Sequence, residues 1–293
     1  MRLSAPALAL AAGALLVLAS LPASVSAQGA PPDGAAEAPT PVEAEASVPP
    51  PTESPWEGAI GLIVGAGPEY LGSDKRGHSL TPAFYLRYGR YSISNSGGFA
   101  NRRSDDVFRG LGVDLIQRED LRANLTLRVD RGRQEDSSDA LNGTGDVPET
   151  LRLRAGLTKY FGHGWRAGVS LNIDALGRGA GYFGDGSLSH ENRWSPDTVA
   201  TATVGLTVGG ERYMHNYFGV TPEQSVHTGH PAYEPGYGLR DVSIGYGLRT
   251  EFGPHWTGLA GLSATRVIGP AADSPLTKET FNWGWRLGLA WRF

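Results

Sequence analysis

No cysteine occurs in the 293 residues, which removes disulfides, thiolate metal sites and cysteine nucleophiles from consideration. Methionine falls to 2 residues, and charged residues make up only 19% with a net charge of -4. So mild a balance argues against nucleic acid as a partner. Past residue 27 no apolar stretch approaches the roughly 20 residues that a spanning helix needs. Any embedding in a membrane then falls to strands, because only helices and closed barrels satisfy every backbone group in hydrocarbon. Residues 28–55 lack aromatic and basic side chains altogether.

What is present follows from those absences. Met1-Arg2, the apolar run Ala7–Ala19 and the small residues Val25-Ser26-Ala27 have the layout of a secretory signal peptide over residues 1–27. The next segment, 28–55, is built mainly of Ala, Pro, Glu, Ser and Thr and carries Asp33, Glu37, Glu43, Glu45 and Glu53. It cannot bury enough apolar surface to order itself and reads as a disordered, acidic periplasmic arm. Residues 56–293 form one large domain without an internal linker.

The end of that domain alternates strictly. Phe281, Trp283, Trp285, Leu287, Leu289, Trp291 and Phe293 share one parity; Asn282, Gly284, Arg286, Gly288, Ala290 and Arg292 share the other. Successive side chains of a strand point to opposite faces, so one face is apolar and the other polar or small. A run of about ten or more residues with aromatics at both ends fits a tilted strand crossing a bilayer. The same dyad pattern returns over 121–130, 151–158, 165–174 and 241–249. Tight turns are expected at Gly89-Arg90, Arg118–Asp120, Gly162–Gly164, Trp194–Asp197 and Gly253–His255. Longer connections are expected near Pro68–Gly77, Gly97–Ser104, Gly132–Pro148, Tyr213–Gly236 and Gly269–Thr280, with a shorter one near Gly177–Gly181. Short turns alternating with long loops characterise outer-membrane barrels. The fold class is therefore all-β: an antiparallel up-and-down transmembrane barrel of about twelve strands, with both termini in the periplasm.

The parity opposite the apolar one defines a candidate lumen lining: Arg122, Arg128, Arg152, Arg154, Arg166, Asp174, Asp241, Arg249, Glu251 and Arg286, with Asp130 and Arg292 on the same face. Two readings stand side by side. Charge-paired side chains plug the lumen, as partly dehydrated charges require, or a narrow basic pore favours anions. Strand number does not decide between them.

Three stretches resemble the MltA-interacting protein/OmpV family of outer-membrane proteins: Gly65–Asp74, Asn216–Ser225 with Gly229–Tyr233, and His255-Trp256 through Ala272–Pro275 to Trp291–Phe293. The resemblance spans the barrel and leaves the arm outside. It implies a non-enzymatic scaffold that bridges a lytic transglycosylase and a penicillin-binding protein in cell-wall synthesis. Other members of that family look like porin-like proteins or surface adhesins. It implies no catalytic residue, cofactor or metal. The partners then expected are outer-membrane lipid and wall enzymes.

The remaining motifs have plainer explanations. Gly179–Gly184 matches the dinucleotide fingerprint literally but lacks the βαβ setting, so a bend or close backbone approach explains it. His215, His227 and His230 share a loop without acidic neighbours at ligand spacing and read as surface histidines. Glu135, Asp136 and Asp139 read as a solvated acidic loop, the alternative being a divalent-cation site. Serine and histidine are present, but no nucleophile elbow surrounds any serine.

Overall fold

The computed structural model describes residues 56–95 and 109–293. The expected signal peptide, acidic arm and Gly97–Ser104 loop lie outside the described residues. Twelve strands are β1 (Trp56–Pro68), β2 (Arg76–Tyr88), β3 (Tyr91–Ser94), β4 (Gly110–Gln117), β5 (Leu121–Asp130), β6 (Thr150–Gly162), β7 (Trp165–Asp174), β8 (Tyr182–Arg193), β9 (Thr198–Gly209), β10 (Gly238–Phe252), β11 (Trp256–Val267) and β12 (Phe281–Arg292). Each pairs antiparallel with its sequence neighbours, and β1 pairs with β12 to close the barrel. The seam runs from Ala59 opposite Arg292 to Ala66 opposite Trp285. Beyond it the Phe293 and Gly58 backbones exchange two more hydrogen bonds, of 3.0 and 3.2 Å. The β1–β12 pairing spares the first and last strands the unpaired edge that lipid would otherwise face.

The alternation becomes an inside and an outside. Leu80, Leu188, Val204, Ile244, Leu262, Leu287 and Leu289 all stand exposed on the outer surface, a band that only hydrocarbon can cover at such density. All five expected tight turns connect strands at one end, and the longer loops gather at the other. Exposed rings mark the tight-turn end: Trp56, Tyr88, Tyr91, Phe161, Trp165, Trp194, Phe252, Trp256, Trp291 and Phe293. The Phe293 ring lies over Gly58, where a Cβ would come within 2.4 Å of it. Among the described residues fewer exposed rings stand at the loop end, Phe281, Trp283 and Tyr237 being three of them.

The loops do not splay outward. Between β9 and β10 the chain forms two short helices, α1 (Glu211–Phe218) and α2 (Pro222–Thr228). Helix α2 begins with a full capping box: the Thr221 hydroxyl accepts from the Gln224 N–H, and the Gln224 side chain accepts from the Thr221 N–H. Met214 and Phe218 of α1 pack with Phe183, Tyr213, Val267 and Ala271. Leu141, Val220 and Leu276, from three different loops, form a second small core. The Tyr70 hydroxyl donates to the Leu276 carbonyl at 2.8 Å, and Ser274 Oγ donates to the Phe218 carbonyl at 2.6 Å. The described loops at this end are therefore interlocked into a cap.

The inner face is also less uniformly polar than the alternation suggests. Ala59, Ala83, Tyr85 and Ala290 point inward and pack with Ile63 and Leu259. Gly65, Gly261, Ser263, Gly284 and Gly288 carry the same inward parity on β1, β11 and β12. In a ring of twelve, those strands lie across the lumen from β5 to β7, which carry Arg122, Arg128, Arg152, Arg154 and Arg166.

Candidate functional site: the lumen and its cap

Strand pairing places every residue of the expected lining on the inward parity: Arg122 and Arg128 on β5, Arg152 and Arg154 on β6, Arg166 and Asp174 on β7, Asp241, Arg249 and Glu251 on β10, and Arg286 on β12. They do not form one cluster. They fall into layers along the barrel axis, and several find partners that the alternation alone did not reveal.

The layer beneath the cap is the most buried. Arg152 has no exposed surface; its Nε donates to Asp130 Oδ2 at 2.6 Å, and an Nη donates to the Gly181 carbonyl at 3.3 Å. Its guanidinium lies 4.9 Å from the centre of the Phe183 ring. Phe183 packs against Tyr213 of α1 at 5.0 Å between centroids. On the far side stands the Arg240 guanidinium, 5.6 Å from the Tyr213 ring and hydrogen-bonded to the Tyr213 hydroxyl, to Thr207 and to Asp241. Two cations thus grip a pair of rings contributed by β8 and the cap. A fully buried charge costs several kcal/mol unless paired and hydrogen-bonded; here a carboxylate, carbonyls and ring faces meet that demand. Asp174 serves the same layer as a staple, accepting from Thr150 Oγ1 and from the backbone N–H groups of Leu176, Gly177 and Ala180.

Arg240 was not among the expected lining residues, and the reason is local. Strict alternation from Val242 sends it to lipid. A register shift between Leu239 and Asp241 inserts it as an extra residue opposite β9, and such a bulge re-aims a side chain.

Lower in the lumen, Arg154 Nη1 donates to Asn124 at 3.2 Å, and Asp185 accepts from Ser170, Asn172 and Thr207. Arg154, Thr158, Arg166, Ser170, Asp185 and Ser187, with Gly168 and Val169, border a cavity of about 150 Å³. Arg128 Nε finds no hydrogen-bond partner among the described residues. Near the tight turns, Arg166 meets Glu191 at 3.2 Å, Arg87 meets Asp114 at 2.8 Å, and Arg292 makes a two-pronged contact with Glu251 at 3.3 and 3.2 Å. Arg122 lies 5.5 Å from the Tyr160 ring. Glu191, Asp185, Arg87 and Asp114 escaped sequence reading because Gly184 and Gly186 on the outer parity, Ala83 and Tyr85 on the inner one, and the bulge at Leu115 blur the alternation around them.

The other singled-out motifs resolve into structure. Gly179–Gly184 is the β7–β8 turn running into β8, with no helix after it. Gly181 has φ +63°, and a Cβ there would sit 2.5 Å from the Tyr213 amide nitrogen; the close backbone approach is to α1. His227 Nδ1 contacts the Glu223 carbonyl, and His230 faces Lys278 Nζ at 3.5 Å. Among the described residues no three His, Cys, Asp or Glu side chains converge as a metal site; Ser225 Oγ donates to the backbone carbonyl of His230 at 2.6 Å, not to its ring. In the acidic loop, Glu135 accepts from the Gly143 and Gly145 N–H groups, and Asp139 pairs with Lys75 at 2.6 Å. Within the cap, burial pushes the Tyr217 phenol up to about 12, helped by the negative charge of Asp130. Burial also pushes Tyr70 to about 12, with Asp74 adding to it.

The family model described as MltA-interacting protein MipA matches residues 60–293, the barrel almost from its first strand to its last residue. The chain belongs to the MipA family. The matched residues make up the twelve-stranded antiparallel barrel described above, with its apolar outer band. No curated relative matches the chain. Among solved structures, the COG4313 outer membrane channel from Pseudomonas putida F1 is similar at 12% identity and a TM-score of 0.43, covering 81% of this chain and 94% of that one. The translocator domain of the autotransporter NalP from Neisseria meningitidis is similar at 13% and 0.38, over 81% and 88%. An anion-selective porin from Comamonas acidovorans is similar at 8% and 0.38, over 81% and 98%. Likeness at this level carries no argument about what this MipA-family barrel does.

Proposed function

We propose that this protein is a non-enzymatic scaffold of the outer membrane that positions cell-wall enzymes, a lytic transglycosylase together with a penicillin-binding protein. The observation that carries the reading is the cap. Its packed cores and the Arg152–Phe183–Tyr213–Arg240 grip tie the described loops together at the long-loop end, which favours a surface for partners over an open passage. The family description, which names an MltA-interacting protein, supports a transglycosylase as one partner. In this reading residues 1–27 are removed on export and residues 28–55 extend into the periplasm. In this reading the tight-turn end, where β1 begins and β12 ends, faces the periplasm, within reach of the wall enzymes.

A second reading keeps the lumen for small anions. It is favoured by the arginine-bearing wall of β5–β7 facing the small residues of β11, β12 and β1, and by Arg286, which stays exposed inside the barrel. Crosslinking in intact cells, followed by identification of the captured proteins, separates the two. Recovery of a lytic transglycosylase or a penicillin-binding protein is the expected result. Single-channel conductance in planar bilayers without any captured wall enzyme would move the function to transport.

A further inference from the structure

A cavity of about 300 Å³ opens in the cap where three loops meet: β5–β6, β7–β8 and the helical β9–β10 segment. Its lining brings Arg133, Arg178 and Arg212 together with His215, against one carboxylate, Asp146. The neighbouring amides are already committed, Asn216 to the Gly179 carbonyl and Gln224 to the Thr144 carbonyl. Asp146 is partly occupied as well, accepting from the Glu135 N–H at 2.8 Å. The guanidiniums are less spent. Arg212 is exposed at the start of α1 and has no carboxylate partner among the described residues. Arg178, also exposed, is steadied by one hydrogen bond to the Glu149 carbonyl at 3.2 Å. Arg133 is 8% exposed; its two Nη groups hold the Tyr217 carbonyl and Thr144 Oγ1, and its Nε has no partner among the described residues.

We infer that this cavity is a binding site for a phosphate-bearing sugar. Guanidinium groups present paired N–H donors that match the oxygens of a phosphate and hold a fixed charge at any working pH. The volume equals roughly ten water molecules at about 30 Å³ each, which is more than a bare phosphate fills and suits a monosaccharide attached to one. Few apolar side chains line it, Val147 and Pro148 among them, so a hydrophilic ligand fits better than an apolar one. Because its walls come from three loops, the ligand ties the cap together. The inference does not depend on the scaffold reading, since it uses only the geometry of the loops.

Calorimetric titration of the full barrel, folded in neutral detergent, tests it with glucose 6-phosphate, glucose and micelles doped with phosphorylated rough lipopolysaccharide. Saturable binding of glucose 6-phosphate is expected, weakened about tenfold or more by Arg178→Ala and by Arg212→Ala. Asp146→Asn should tighten binding, a change that misfolding does not produce. Binding of the lipopolysaccharide micelles alone, with the same order of variants, assigns the phosphate to a lipid-borne sugar and still bears the inference out. Glucose binding as tightly as its phosphate, no binding of either phosphorylated probe, or binding unchanged in the Arg178→Ala/Arg212→Ala double variant overturns it.

Discussion

Leu287 and Arg286 are neighbours on β12, and exchanging their characters should have opposite consequences. Leu287 is 50% exposed on the outer band, opposite Val64 on one side and Ala260 on the other. It lies near the middle of a twelve-residue strand, so Leu287→Arg puts a charge close to the bilayer midplane. That costs about 2–4 kcal/mol, or roughly 30- to 700-fold in the folded population at about 1.4 kcal/mol per factor of ten. Arg286 points inward between Gly65 and Gly261 and is solvent-exposed there. Arg286→Leu removes a charge from a wet position and should change stability by about 0.5 kcal/mol or less. Both variants are to be folded into phospholipid vesicles and unfolded reversibly with guanidinium, following tryptophan emission. The midpoint should fall steeply for Leu287→Arg with an unchanged slope, and hardly move for Arg286→Leu. Equal penalties, or a larger one for Arg286→Leu, would show that the inside and outside of the closing strand have been exchanged.

Deleting Phe293 removes the last two backbone hydrogen bonds of the β1–β12 seam and the ring over Gly58; the heat-shifted gel band that reports assembly should weaken while total protein stays constant. Arg152→Ala strands Asp130 beneath the cap and should destabilise that region by about 3–5 kcal/mol, read as faster proteolysis of the β9–β10 segment; wild-type protease resistance would count against the grip on Phe183 and Tyr213. Tyr217 and Tyr70 rise from 10.0 to about 12 in the folded cap. A raised pKa favours the neutral, folded form below the unfolded value, so their contribution is complete below pH 10 and is lost as pH climbs toward 12. Tyrosinate absorbance and cap proteolysis should therefore rise together across that interval, and a cap that stays protease-resistant at pH 12 would contradict the burial of these phenols.

The strands could be read in advance because a lipid-facing wall and a wet lumen impose a two-residue period on every spanning segment. Leu121–Asp130, Trp165–Asp174 and Phe281–Arg292 carry that period cleanly, and the glycine-bearing turns between strands punctuate it. Legibility failed where one residue alters parity. Arg240 enters the lumen only through its bulge, and Asp114 lies beside another. The helices of the cap fall inside the expected Tyr213–Gly236 connection or at its edge, although Thr221-Pro222-Glu223-Gln224 spells a capping box; eight and seven residues are too few for helical periodicity to show. Tyr213 and Phe183 could not be paired with Arg152 and Arg240 from sequence. That contact joins strands and a helix whose proximity exists only after the barrel has closed.

The uneven distribution of exposed rings has a mechanical consequence. Amphipathic rings prefer the headgroup level, and most of those exposed lie at the tight-turn end. That rim is pinned to one leaflet. The opposite rim is held more loosely, by Trp283 with the Arg76 guanidinium 3.8 Å from its ring and by a few other side chains. When the surrounding bilayer thins or thickens, the mismatch must be absorbed somewhere at a cost of fractions of a kcal/mol per Å. The weakly moored rim yields first. Changes in membrane thickness are thus delivered to the capped end, while the tight-turn rim keeps its depth.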